Sequence, residues 1–189
     1  MTRVAAGTEV TYTVTWLEMD ERPSYDWPHL PAGSQAALLR AVDPPVWYFR
    51  ALYDAVGRDW SWEDMPKRPD EVVRDWMDPA RMTLWTLIEH GWPQGFFMLD
   101  EGEAGVTEMV YFGLVPEAIG KGLGGWLLKT AILTAWQRPG LTRLKVDTCT
   151  LDHPRALPSY QKAGFHPVRR EDRTRVLVRD RDLTHPDPR

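Results

Sequence analysis

The sequence predicts an α/β protein of the α+β type, with a mixed, mainly antiparallel central sheet of about six to seven strands flanked by about four helices. Three observations carry this expectation. Residues 81–102 hold two apolar runs, RMTLWTLIEHG and WPQGFFMLDEG, that meet at Gly91 as a hairpin. Residues 105–149 read strand, glycine-led helix, strand, the arrangement of a crossover joining parallel neighbours. The remaining apolar segments are short and follow the order β-α-α-β-β-β-α-β-α-β-β.

The elements follow in turn. In TEVTYTVTWLEM (8–19), Val10, Tyr12, Val14 and Trp16 alternate with threonines, as in a half-buried strand. Residues 20–42 contain prolines and one short apolar segment and read as a loop. Asp43-Pro44-Pro45 resembles a helix start with Asp43 as its cap, and Val46, Phe49, Leu52, Tyr53 and Val56 continue at helical spacing until Gly57. Arg68-Pro69-Asp70 opens a second helix, DEVVRDWM, which stops near Pro79. In the strand GVTEMVYFGLVP (105–116), strict alternation puts Glu108 on one face with Val110 and Phe112, opposite Met109 and Tyr111. A helix over 120–137 carries Leu127, Leu128, Ala131, Ile132 and Ala135 on one face and ends at Pro139-Gly140. LTRLKVDTCT is a strand, PRALPSYQKAG a short helix, and FHPVRR and TRVLVRD two last strands. The arginine-rich stretch RREDRTRVLVRDRD, laced with aspartate, fits a solvated hairpin or edge strand.

Composition bounds the function. The 189 residues fit one domain, and no linker, repeat or low-complexity segment divides them. Hydrophobic residues make up 43% and charged residues 26%, and the net charge of −4 gives no nucleic-acid footprint. No apolar run approaches the roughly 18 residues of a membrane span, and MTRVAAGTEV lacks the apolar core of a signal peptide. The single cysteine, Cys149, excludes an intrachain disulfide, and the histidines at 29, 90, 153, 166 and 185 have no metal-ligand spacing. A cytoplasmic protein without a metal is the expectation.

The stretch PEAIGKGLGG (116–125) then stands out, because helices disfavour glycine and yet WLLKTAILTAW follows at once. A strand, a bare glycine turn and a helix N-terminus together make an anion site, since the turn amides and the helix dipole converge and no side chain blocks a phosphate. Gly120, Gly122 and Gly125 also satisfy G-x-G-x-x-G, and Asp147 falls about twenty residues on, which would suit an NAD(P)-dependent oxidoreductase. Against that alternative, Pro116 to Ile119 separate the strand from the first glycine. The unit also comes late in the chain, and hairpins precede it instead of β-α repeats.

Leu114-Val115-Pro116 and Ile119-Gly120-Lys121-Gly122-Leu123-Gly124 resemble the V-x-P and Q/R-x-x-G-x-G/A turn of the GCN5-related N-acetyltransferase (GNAT) superfamily, with Ile119 where Gln or Arg is usual. Downstream, HPRALPSYQKAGF is similar to that family's N-x-x-A-x-x-L-Y-x-K-x-G-F. Ala156, Tyr160, Lys162, Gly164 and Phe165 match it, while His153 stands at the Asn position and Ser159 at the Leu position. The resemblance covers residues 105–172 and implies a GNAT-like fold over 1–189 that binds acetyl-CoA. The implied contacts are Leu114, Val115, Ile119, Gly120, Lys121, Gly122, Leu123, Gly124, Gly125, His153 and Tyr160. It further implies Tyr160 as the acid for the departing thiolate and Glu108 as the general base. Residues 20–80 would cover the acceptor, with Trp47, Tyr48 and Tyr53 as contacts. The implied activity is acetyl transfer to a primary amine of a small molecule or peptide, directly in a ternary complex. A non-catalytic acyl-CoA-binding module of the same fold is the alternative, and a homodimer is compatible with either.

Overall fold

A computed structural model describes residues 3–182; residues 1–2 and 183–189, including His185, lie outside the described residues. In chain order the elements are β1 (Arg3–Val4), β2 (Glu9–Met19), β3 (Ala37–Ala41), α1 (Val46–Gly57), α2 (Asp70–Trp76), β4 (Met82–Glu89), β5 (Trp92–Asp100), β6 (Val106–Leu114), α3 (Leu123–Ala135), β7 (Arg143–Cys149), α4 (Ala156–Lys162), β8 (His166–Val176) and β9 (Arg181–Asp182). Seven strands form one sheet in the order β3-β4-β5-β6-β7-β2-β8, and β1 pairs with β9 separately. Within the seven-stranded sheet only β6 and β7 run parallel. A doubly wound nucleotide fold needs a mostly parallel sheet, so this topology removes the structural basis for the oxidoreductase alternative. No helix among the described residues is long and apolar enough to cross a membrane.

The hairpin falls where the sequence places it. His90 and Gly91, both at positive φ, form the two-residue turn between β4 and β5. Four expectations need correction. Residues 37–41, read as loop, form the edge strand β3 against β4. FHPVRR and TRVLVRD are not two strands but one, β8, which pairs along β2 at the other edge with a single irregularity at Val168. Asp43 adopts a left-handed φ of 48° and does not cap α1, whose N-cap position is Pro45.

The fourth correction concerns β6. Met98 pairs with Tyr111 but Leu99 pairs with Met109, so Val110 is an extra residue, a β-bulge. The bulge breaks the alternation. Glu108 pairs with Asp100, two residues from Met98, and therefore shares a face with Tyr111, not with Phe112.

The two faces of the sheet carry different layers. On the Tyr111 face, α1 packs its Phe49 against Tyr111 and its Val56 against Gly113. On the opposite face Leu114 meets α3 at Gly124 and Phe112 meets α4 at Tyr160. Leu127, Ala131, Ile132 and Ala135 of α3 are fully buried, which fixes the helix that follows the glycine turn.

Candidate active site

The site begins where β6 and β7 part. They pair only from Val106–Arg143 to Glu108–Lys145. Beyond that, β6 continues to Leu114 and β7 to Cys149 with no pairing between them, so the sheet splits into a V. The β6 arm of the split has backbone groups that no neighbouring strand uses, and such groups need a partner. Leu114 is on this arm. Val115 is not free in the same way, because its N–H donates to Gln94 O (2.9 Å) and its carbonyl accepts from Ala118 N (3.0 Å).

The glycine turn lies at the end of the β6 arm. After a 3₁₀ turn over Pro116–Ala118 and extended Ile119, Gly120 (φ 87°) and Gly122 (φ 79°) take left-handed conformations that side chains resist. Gly122 is the N-cap of α3, and no side chain caps the helix. The amides from Gly122 to Gly125 thus have no intrahelical acceptor, and no acidic side chain sits in the first turn to neutralise the helix dipole. A Cβ added at Gly120 or Gly125 would meet nothing within 4 Å, so the space over these residues is open. Lys121 is exposed beside it, and Ile119 is half-buried. The loop after β2 also reaches this end: Trp126 Nε1 donates to Pro28 O (2.9 Å), and Pro31 lies 3.3 Å from where a Gly122 Cβ would be.

Tyr160 comes from α4 on the other side of the split. Pro158 does not break this helix, since it occupies the first turn, where amides have no helical acceptor. Tyr160 is only 6% exposed and packs edge-on to Phe112 (6.2 Å) and Phe165 (5.9 Å). Burial pushes its phenol pKa well above the usual tyrosine range, and the carboxylates of Asp152 and Asp147 push it further. It is therefore a protonated hydroxyl at neutral pH.

Glu108 marks the vertex of the V on the Tyr111 face. Its carboxyl pKa is raised, first by partial burial and then by Asp147 and Asp100, while Lys145 opposes the shift. Asp147, two residues up β7 from Lys145, is raised by burial and by Asp152. Both side chains still reach solvent, which screens part of the effect.

His153 does not stand in the split as a free side chain. Its Nδ1 accepts from Arg155 N (3.0 Å) and its ring meets Trp60 edge-on at 5.0 Å, so it organises the start of α4. Burial and Arg155 lower its pKa and favour the neutral ring. Asp152 instead ties the end of β7 together, accepting from Thr148 Oγ1 (2.7 Å) and Cys149 N (2.8 Å). Burial raises the Cys149 thiol pKa to about 12, which leaves no thiolate for a covalent route.

The three α1 aromatics expected at the acceptor, Trp47, Tyr48 and Tyr53, do not converge. Trp47 is 67% exposed, and Tyr48 donates to Thr86 Oγ1 on β4 (2.9 Å). Tyr53 is buried, with its hydroxyl on Asp64. It joins an aromatic group around Tyr111 that includes Phe49, Trp62, Trp76 and Phe96. Tyr111 also donates to Asp64 (3.0 Å). Sequence reasoning missed Asp64, Tyr111 and Asp152 here. The bulge that turns Tyr111 toward α1 has no local signature in the sequence.

A family model described as the acetyltransferase (GNAT) family matches residues 49–165. The chain belongs to the GNAT acetyltransferase family. A search of curated proteins finds no match. Among solved structures, a GCN5-related N-acetyltransferase from Sphaerobacter thermophilus aligns over 94% of this chain and 53% of its own, with a TM-score of 0.62 and 16% identity. A second, from Kribbella flavida, aligns over 86% and 56%, with a TM-score of 0.57 and 20% identity. An aminoglycoside N-acetyltransferase in complex with CoA aligns over 75% of this chain and 95% of its own, with a TM-score of 0.51 and 17% identity. The chain thus spans about half the length of the first two. At these identities the likeness establishes the GNAT fold: a mixed, mostly antiparallel sheet of seven strands with four helices. In this GNAT domain the matched stretch contains the split, the glycine turn and Tyr160.

Proposed function

We propose that this protein is an acetyl-CoA-dependent N-acetyltransferase that moves an acetyl group to a primary amine by direct transfer in a ternary complex. The observation that carries the reading is the split between β6 and β7, with an uncapped glycine turn at its end and a buried, protonated tyrosine on its flank. The amides of Gly120 to Gly125 and the N-terminus of α3 hold the pyrophosphate, with Lys121 adding charge at the rim. Leu114 and the unpaired β6 edge receive the pantetheine amides. Val115 and Ile119 shape the bend between edge and turn, Leu123 seats the helix, and His153 fixes α4 so that Tyr160 faces the sulfur.

Acetyl-CoA supplies the acetyl group as a thioester. Glu108 takes the proton of the attacking amine, directly or through water, and its raised pKa suits it to that role. Tyr160 gives its hydroxyl proton to the departing sulfur. Of the three α1 candidates, Tyr53 is the one that joins, with Phe49, the rings around Tyr111 on the face that carries Glu108, so the acceptor approaches from that face.

Thermal unfolding tests the cofactor. Acetyl-CoA at about 100 times its Kd adds roughly 2.7 kcal/mol, about 5–10 °C for a domain of this size. NAD(H) and NADP(H) are expected to give no shift. A shift with the nicotinamides and none with acetyl-CoA overturns the proposal. A free-thiol assay over a panel of amines then identifies the acceptor.

A further inference from the structure

Trp62 bridges the split on the face opposite Tyr160. Its indole packs on the β6 arm, 5.1 Å from the Tyr111 ring and edge-on to Phe96 at 6.3 Å. Its Nε1 reaches the far arm and donates to Asp152 Oδ1 (3.3 Å). Asp152 cannot swing away, because its other oxygen is held by Thr148 and Cys149 at the end of β7.

Two glycines make room for this placement. A Cβ at Gly57 would stand 2.4 Å from the Trp62 ring, and a Cβ at Gly113 would stand 2.3 Å from Val56 and 4.0 Å from Trp62. The neighbouring residues are anchored too. Arg175 donates to Ser61 O (3.0 Å) and pairs with Glu63 (2.8 Å), while Asp64 accepts from Tyr53 and Tyr111. Trp60 rests on His153 at 5.0 Å. The indole is therefore a fixed wall, pinned on both arms.

We infer that Trp62 sets the length of the acyl group: an acetyl fits between Tyr160 and the indole, and a four-carbon acyl chain runs into it. The inference rests on the proposed seat of the thioester in the split. Interiors pinned in this way give little when extra methylenes are forced into them, and one methylene in such a pocket changes discrimination by roughly 10-fold or more.

Calorimetric titration with CoA, acetyl-CoA and butyryl-CoA tests this without an acceptor. Wild type is expected to bind CoA and acetyl-CoA and to bind butyryl-CoA about 10-fold or more weakly. Trp62→Ala should bring butyryl-CoA close to acetyl-CoA while CoA, which has no acyl group, keeps its affinity. Trp62→Phe should retain part of the discrimination. Equal wild-type affinity for acetyl-CoA and butyryl-CoA overturns the inference, even where the alanine variant fails to fold. So does a folded alanine variant that still rejects butyryl-CoA. Failure of wild type to bind CoA at all sinks the underlying function instead.

Discussion

At the scale of single residues, the proposed mechanism makes opposite demands on the protonation of Tyr160 and Glu108. Tyr160 must hold its proton, and burial ensures that it does. Tyr160→Phe removes the hydroxyl and keeps the ring against Phe112 and Phe165. It should lower kcat by about 10²-fold or more with acetyl-CoA affinity unchanged. Unchanged turnover would remove Tyr160 from the chemistry, and the binding-only alternative would gain if wild type binds acetyl-CoA but acetylates no amine. As the proposed base, Glu108 must lose its proton. Its raised pKa means that activity falls as pH drops through a point above the ordinary glutamate value of about 4.5. Glu108→Gln should abolish that acid limb along with most of the rate. The same shift has a sign in stability. A carboxyl whose native pKa exceeds its unfolded one helps folding at low pH, and the help is lost as pH rises through the native pKa. Relative to wild type, the glutamine variant should therefore melt higher at pH 7 than at pH 4, a comparison that needs no acceptor.

At the scale of elements, the glycine turn was legible because glycine at positive φ has a backbone cause that a linear sequence displays. Gly120 and Gly122 are left-handed as that cause requires. Gly125 is different. It lies inside the first turn of α3 with ordinary φ and open space around it, so packing does not demand glycine there. Gly125→Ala should then stabilise the helix by up to about 1 kcal/mol and weaken acetyl-CoA binding, because the methyl occupies the anion cradle. Paired melting and titration separate the two effects; undiminished affinity would place the pyrophosphate elsewhere. The orientation of Glu108 was not legible. Period-two alternation gives a face only if no residue is inserted, and the Val110 bulge is set by pairing with Met98 and Leu99 of the neighbouring strand β5. The Trp62–Asp152 contact, across 90 positions, leaves no local trace either. That the α1 candidates do not gather in one place has a simpler reason: Trp47 and Tyr53 are six residues apart on a helix and point to different surroundings.

At the scale of the whole molecule, the placement of β2 is the unexpected piece. The pattern in residues 8–19 showed a strand but not its place, which is between β7 and the edge strand β8. On one face of β2, Tyr12 and Trp16 lie under arginines of β8, with Arg169 4.4 Å over Trp16. Its other face delivers Leu17, fully buried, and Met19 to the core beside α3 and α4. The β7 arm of the split is thus held on its far side by β2 alone, from Val14–Cys149 to Met19–Leu144. Leu17→Ala should cost about 2–5 kcal/mol, lowering Tm by roughly 2–4 °C for each kcal/mol. Removing residues 1–19 is the stronger test. It leaves β7 and β8 with unpaired edges facing an empty lane, and unpaired backbone buried from water is costly. The shortened chain should lose its cooperative melt and its acetyl-CoA affinity together, and a peptide of residues 8–19 added in excess should restore both. A shortened chain that melts cooperatively and binds acetyl-CoA would show that the split stands without β2, and that the β7 arm is positioned by α4 and the β6 vertex.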